Sequence, residues 1–158
     1  MVFGSGCFWG RQYDFITEVE QKLLKRNASE ITAIAGYAGS GHPGPTTGHI
    51  CYDNAQHTDE YSSLGYAEAV QLSLPQGAIG AAATTFFNTF VDIGDGIWAR
   101  EDYRDQGPQF RALIALPGGI DSALMPQAMN SQHPPQICGR RAAHNASCRR
   151  CDVRTCTT

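Results

Sequence analysis

Gly6-Cys7-Phe8-Trp9-Gly10 sets one thiol among two large aromatics and two flanking glycines, where a short apolar run meets a helical pattern. Few structural needs call for that combination, and its parsimonious reading is a reactive cysteine. A thiol attacks only as thiolate. A free cysteine, with a pKa of about 8.5, is mostly protonated at neutral pH, and a helix N-terminus favours the ionised form. The chain supplies such a terminus: Phe8, Trp9, Tyr13, Ile16, Val19, Leu23 and Leu24 recur at three- and four-residue intervals, predicting an amphipathic helix buried on that side with Cys7 at or just before its first turn. A plain core cysteine is the alternative, and the glycine frame weighs against it. Gly4, Gly6 and Gly10 do not make a dinucleotide fingerprint, because Phe8 and Trp9 fill the space that pyrophosphate needs.

Glu68 is the second residue with chemical purpose. In Ala67-Glu68-Ala69-Val70-Gln71-Leu72-Ser73-Leu74, strand alternation places it on the face of Val70, Leu72 and Leu74, directed to the core or a cleft. A carboxyl held there keeps its proton to higher pH and can serve as a general acid. The alternative is a glutamate at a strand end that turns out to solvent.

The elements that must position these two groups follow from the pattern. After the first helix, residues 31–37 read as a strand, and residues 36–48 form a loop with five glycines and two prolines in thirteen positions. No Gly-Lys-Ser/Thr follows, which argues against a phosphate cradle. A polar stretch leads to the strand of Glu68, closed by Pro75 and Gly77. Residues 78–91 predict a second helix with Ile79, Ala83, Phe86, Phe87 and Phe90 on one face; residues 92–109 read as a charged loop; residues 112–116 read as a buried strand stopped by Pro117-Gly118-Gly119. The order β-α-β-β-α-β suits an α+β, two-layer α/β sandwich with a ferredoxin-like split β-α-β core.

With 158 residues and 42% hydrophobic content the chain supports one domain, and no apolar run reaches the roughly 18 residues of a membrane helix. We expect a cytoplasmic monomer, because no targeting pattern is visible. Residues 1–139 carry 7 Lys+Arg against 14 Asp+Glu, whereas residues 140–158 carry five arginines against Asp152. An acidic body argues against nucleic-acid binding. We therefore divide the chain into a domain over residues 1–127 and an irregular Arg/Cys-rich tail over 128–158, which holds Cys138, Cys148, Cys151 and Cys156. His144, Cys148, Cys151 and Cys156 offer four zinc-ligand types, but their spacing is too short for a usual finger, and no metal is expected.

Three segments, Gly6-Cys7-Phe8-Trp9-Gly10, Gly65-Tyr66-Ala67-Glu68-Ala69-Val70 and Asp105-Gln106-Gly107-Pro108-Gln109-Phe110-Arg111, resemble the class A peptide methionine sulfoxide reductases, in the family's order and at compatible spacings. Ala35-Gly36-Tyr37-Ala38-Gly39 fits that family's Gly-Tyr-x-Gly loop, and the resemblance covers roughly residues 3–122. It implies that Cys7 is the nucleophile, that Glu68 protonates the sulfoxide oxygen, that Asp105 organises the pocket, and that Phe8 and Trp9 hold the substrate's methyl group. It implies reduction of methionine S-sulfoxide, free or in oxidised proteins, through a Cys7 sulfenic acid. No cofactor is bound; the electrons come from an external thiol, thioredoxin or dithiothreitol. The resolving thiol is implied near the C-terminus, where Cys148, Cys151 and Cys156 stand. Cys51 matches a family cysteine without a usual catalytic role.

The pattern has gaps. Thr47 and Phe110 stand where the family commonly has pocket tyrosines, and Tyr66 stands where it usually has histidine or a small residue. Thr47 offers a shorter hydroxyl, and Tyr66 and Tyr103 are candidates to reach in from elsewhere. Without those phenols, the alternative is an impaired relative that binds methionine or its sulfoxide without turnover. A cysteine hydrolase or peroxidase ranks last, because a hydrolase needs a histidine base and His42, His49 and His57 all lie in loop-like segments.

Overall fold

Strand β1 (Val2–Gly4) alternates its side chains, sending Phe3 towards the helices and Val2 to the opposite face of the sheet. The computed structural model describes residues 1–53, 57–95 and 97–129. The expected tail therefore lies outside the described residues except for Ala128 and Met129, as do Cys138, His144, Cys148, Cys151 and Cys156. Helix α1 (Phe8–Asp14) runs on as a π-helical stretch, Phe15–Leu23. Then come β2 (Ile34–Ala38), β3 (Ala67–Gln71), α2 (Ile79–Phe87), β4 (Phe90–Asp92), β5 (Trp98–Arg100), β6 (Leu113–Ala115) and α3 (Met125–Met129).

The main sheet has the order β2-β3-β1-β6 with every pair antiparallel. Strand β3 thus inserts between β1 and β2, which α1 connects: a split β-α-β unit in an α+β fold. One face carries the helices. There Phe3, fully buried, meets Phe15 at 5.1 Å and Phe86 at 5.9 Å between ring centroids. Val70, Leu72, Ile79, Ala82 and Ala83 complete that core, the alanines letting α2 approach the sheet closely. The other face holds a smaller cluster of Val2, Ala38 and Ala69.

Two expectations shift. Trp9, Tyr13 and Leu23 are exposed, and the buried side of the first helical segment is Phe8, Phe15, Val19 and Glu20. A π-helical stretch closes hydrogen bonds five residues apart, so the strict 3.6 period loses phase after Asp14. Glu20 takes the resulting inward position because Arg26, Thr32 and the Ala33 N–H all bond its carboxylate. The helix expected over residues 78–91 ends at Phe87, and Phe90–Asp92 (β4) instead forms a hairpin with Trp98–Arg100 (β5) of the stretch expected as loop, Phe90 pairing with Arg100 and Asp92 with Trp98. Its strands are three residues long and leave Val91 and Trp98 exposed, so they carry no clear alternation. Among the described residues, no helix is long and apolar enough to cross a membrane.

Candidate active site

Gly6 turns the chain out of β1 with φ of 72°, a conformation L side chains rarely adopt, and its N–H donates to the Phe110 carbonyl at 3.2 Å. Cys7 follows in extended backbone as the residue before α1, half-exposed and not in a disulfide. No side chain of its own caps this helix start. Two carboxylates from distant parts of the chain take that place: Cys7 N–H donates to Asp105 Oδ2 at 3.0 Å, and Phe8 N–H donates to Glu68 Oε2 at 2.8 Å. These N–H groups are among the donors that a helix start leaves unpaired, and negative charge is favoured there.

Glu68 lies on β3, opposite Tyr37 in register, and only 1% of it is exposed. Its second oxygen, Oε1, accepts from the Tyr61 hydroxyl at 2.7 Å. Burial raises its pKa above the ordinary glutamate value; the bonds from Phe8 N–H and Tyr61 pull it back, and the nearby Asp105 charge pushes it up again. The net direction is upward. Glu68, Val70 and Leu72 share the buried face that alternation predicts, and Ala67 and Ala69 are buried on the other, so β3 is covered on both sides.

Asp105 is held through its backbone, where Arg100 Nη2 donates to its carbonyl at 3.0 Å. Phe8 is buried and forms a wall rather than a lip; Trp9, 63% exposed, meets it edge-on with ring centroids 4.8 Å apart. Phe8 also lies 5.7 Å from the Tyr37 ring and 6.2 Å from the Tyr52 ring. Tyr61 stacks on Tyr37 at 4.6 Å and on Tyr52 at 5.6 Å. Phe8, Tyr37, Tyr52 and Tyr61 thus form one ring cluster, from which the Tyr61 hydroxyl meets the Glu68 carboxyl.

The residues of the expected pocket divide sharply. Cys7, Phe8, Glu68 and Asp105 come together at one helix start, with Trp9 at its open side. Thr47 does not offer its hydroxyl to this site, because Thr47 Oγ1 donates to Asp59 Oδ2 at 2.7 Å in a loop clamp that also takes the N–H groups of Thr46 and Thr47. Those bonds, the Thr46 N–H foremost, hold the Asp59 carboxyl below its ordinary pKa against the opposing effect of burial. Tyr66 turns its hydroxyl to the His42 carbonyl at 3.0 Å, and Tyr103 is 78% exposed. Tyr52 and Tyr61 join Tyr37 in the ring cluster around Phe8, and sequence reasoning missed both of these additions. Their only sequence signal was position in a long insertion-like stretch before Gly65. His57 is exposed and pairs with Glu60, while His42 and His49 are exposed.

A half-exposed thiol before a helix, with a buried carboxyl on the next backbone N–H, is the arrangement this α+β protein presents. The chain is 27% identical over 113 residues to the peptide methionine sulfoxide reductase MsrA of Sulfolobus acidocaldarius, covering 72% of this chain and 53% of that protein. It is 27% identical to the MsrA of Saccharolobus solfataricus, covering 72% and 52% respectively. To the MsrA of Xanthomonas euvesicatoria pv. vesicatoria it is 30% identical over 112 residues, 71% of this chain and 43% of that protein. Its similarity is thus to MsrA proteins, at 27–30% identity over 71–72% of this chain. The chain spans about half the length of the curated relatives it matches. No family model matches it, and no solved structure does.

Proposed function

We propose that this chain reduces methionine S-sulfoxide, with Cys7 as nucleophile and Glu68 as proton donor. The observation that carries the reading is the Glu68 carboxyl bonded at 2.8 Å to the N–H of the residue after Cys7. Sulfoxide oxygen is a poor leaving group until protonated, so attack on sulfur needs an acid beside the thiolate. Burial keeps that acid protonated to higher pH than a free glutamate.

Cys7 Sγ gives an electron pair to the sulfoxide sulfur, forming an S–S bond, while the oxygen takes the Glu68 proton and the S–O bond breaks to release hydroxide. Return of that oxygen to Cys7 Sγ then breaks the S–S bond and frees the thioether. The net exchange moves oxygen from the substrate sulfur to Cys7: the substrate gains two electrons and becomes a thioether, and Cys7 becomes a sulfenic acid. A second thiol then condenses with that acid, releasing water and leaving a disulfide, which an external dithiol reduces. Dithiothreitol or a thioredoxin-like protein fits that role. Asp105 fixes the Cys7 backbone, and Phe8 and Trp9 offer aromatic faces to the S-methyl group, on which sulfur and methyl pack well. No bound cofactor is needed, and the substrate is free or protein-bound methionine sulfoxide.

Methyl (S)- and (R)-p-tolyl sulfoxide with dithiothreitol test the reading. We expect turnover of the S form alone, a dimedone adduct on Cys7 after substrate addition, and loss of both in Cys7→Ser. Full activity in Cys7→Ser, or no S-selective turnover in the wild type, would reject it. One observation favours a second reading, a protein that binds the sulfoxide without reducing it: the Thr47 hydroxyl is committed to Asp59 and Phe110 carries none. That reading predicts quenching of Trp9 fluorescence by methionine sulfoxide with no dimedone adduct.

A further inference from the structure

Tyr52 and Tyr61 come from a stretch that neither the alternation nor the motifs explained. A parallel bridge pins it: Cys51 N–H donates to the Asp59 carbonyl and Tyr61 N–H to the Cys51 carbonyl, both at 2.9 Å. Tyr66 N–H then donates to the Tyr61 carbonyl at 2.9 Å. These bonds set the two tyrosines side by side with their rings 5.6 Å apart, one inside and one at the mouth. Tyr61 is 6% exposed and spends its hydroxyl on Glu68. Tyr52 is 56% exposed, lies along Phe8, and makes no hydrogen bond among the described residues.

We propose that these two phenols complete the pocket that Thr47 and Phe110 leave open: Tyr61 is a positioning residue for the Glu68 carboxyl, and Tyr52 donates to the oxygen of the bound sulfoxide. This rests on the reductase reading for Tyr52, but not for Tyr61. When Glu68 gives up its proton, the carboxylate left behind is held by two donors, the Tyr61 hydroxyl and the Phe8 N–H, so the acid delivers its proton into an already prepared charge site. Burial, with the bond to Glu68 next, holds the Tyr61 phenol far above its ordinary pKa, so it remains a donor throughout the working pH range. The Tyr52 phenol is raised as well, first by burial and then by the charges of Glu68 and Cys7. Stacked on Phe8 at the exposed end of the ring cluster, this donor would lie beside a substrate held on Phe8 and Trp9.

The test has two arms. In a Cys7→Ser background, side-chain carboxyl 13C NMR follows the titration of Glu68, identified by its loss in Glu68→Gln. Tyr61→Phe keeps the ring stack and removes one hydrogen bond to the carboxylate, so the Glu68 pKa must move up; an unchanged value overturns the Tyr61 assignment. In the second arm, kcat and KM are measured with methyl (S)-p-tolyl sulfoxide. Removing one buried oxyanion donor costs about 10²–10³-fold in kcat, and for the half-exposed Tyr52 we expect Tyr52→Phe to lose about tenfold or more with little change in KM. Tyr61→Phe shifts the limb of the pH profile set by Glu68 upward, which a merely structural role would not do. Wild-type kinetics in Tyr52→Phe overturn the Tyr52 assignment. A wild type without turnover, with the Glu68 shift still present in Tyr61→Phe, would sink the reductase reading and Tyr52's role together, while upholding Tyr61. Circular dichroism on each variant verifies the fold.

Discussion

Gly6→Ala is the substitution on which the geometry of the helix start bears most directly. A Cβ at Gly6 would overlap Asp105 Oδ2 and sit 2.6 Å from its Cγ, and the backbone there has φ of 72°. Two costs arise. A non-glycine residue held in the left-handed region costs about 1–2 kcal/mol. Displacing Asp105 also breaks its bond from the Cys7 N–H, and a hydrogen bond to a charged group is worth about 1.5–3 kcal/mol. Gly6→Ala should therefore lose about 2.5–5 kcal/mol in urea denaturation, a large share of a typical domain's stability. Asp105→Ala removes the same hydrogen bond and leaves only its Cβ, 3.1 Å from the new methyl carbon, a contact that a shift of a few tenths of an ångström relieves. In that background Gly6→Ala should cost only the backbone strain of about 1–2 kcal/mol. The double-mutant cycle then shows a coupling of about 1.5–3 kcal/mol, the worth of the shared hydrogen bond. Additive losses, within about 0.5 kcal/mol, would refute the idea that Gly6 is required because the Asp105 carboxylate occupies its side-chain space.

Glu68→Gln should lower turnover by about 10²–10⁴-fold, the usual worth of a general acid. Its effect on stability has the opposite sign. Because burial raises the Glu68 pKa in the folded state, the folded chain holds that proton to higher pH than the unfolded chain, and stability falls as pH rises from the ordinary glutamate value through the folded one. Glu68→Gln should therefore raise Tm more at pH 8 than at pH 4, and an equal gain at both would contradict the buried-acid reading. Glu20 behaves inversely: burial pushes its pKa up, but the bonds from Thr32, Ala33 and Arg26 outweigh it and leave the value lowered. Its contribution is present above the ordinary glutamate value and lost as pH falls through the folded one, so Glu20→Gln should cost about 2 kcal/mol near pH 7 and progressively less below pH ~4.

Much of the frame was legible because it rests on periods that sequence displays. Alternation over residues 67–72 put Glu68, Val70 and Leu72 on one face, and the order of apolar runs gave the split β-α-β arrangement. What failed to show were features set by tertiary bonds rather than by periodicity. Nothing in the run from Phe8 to Leu24 announces a π-helical stretch, and Glu20 reads as a surface charge until the fold brings Arg26, Thr32 and Ala33 onto its carboxylate. The β4–β5 hairpin escaped because its two three-residue strands leave apolar residues exposed. Thr47 looked available as a hydroxyl only while Asp59 had no visible partner; in the fold that carboxylate is fully buried and three Thr46 and Thr47 donors close on it.

The same distinction explains why the site's aromatic wall was hidden while its thiol and acid were not. Cys7 and Glu68 stand on the two elements with the strongest local pattern, a helix start and a central strand, and a direct backbone contact joins them through Phe8 N–H. Tyr61 instead reaches the carboxyl, with Tyr52 stacked on it, through a bridge between Cys51 and Glu60, nine residues apart in a segment without period. A chain with Thr47 and Phe110 at its expected phenol positions still needs a donor on Glu68 wherever that group is ionised, since an unpaired buried charge is far costlier than a paired one. The Tyr61 hydroxyl meets that need from an unrelated position. The requirement therefore attaches to the carboxyl's surroundings, and the chain is free to meet it from whichever loop the fold brings near.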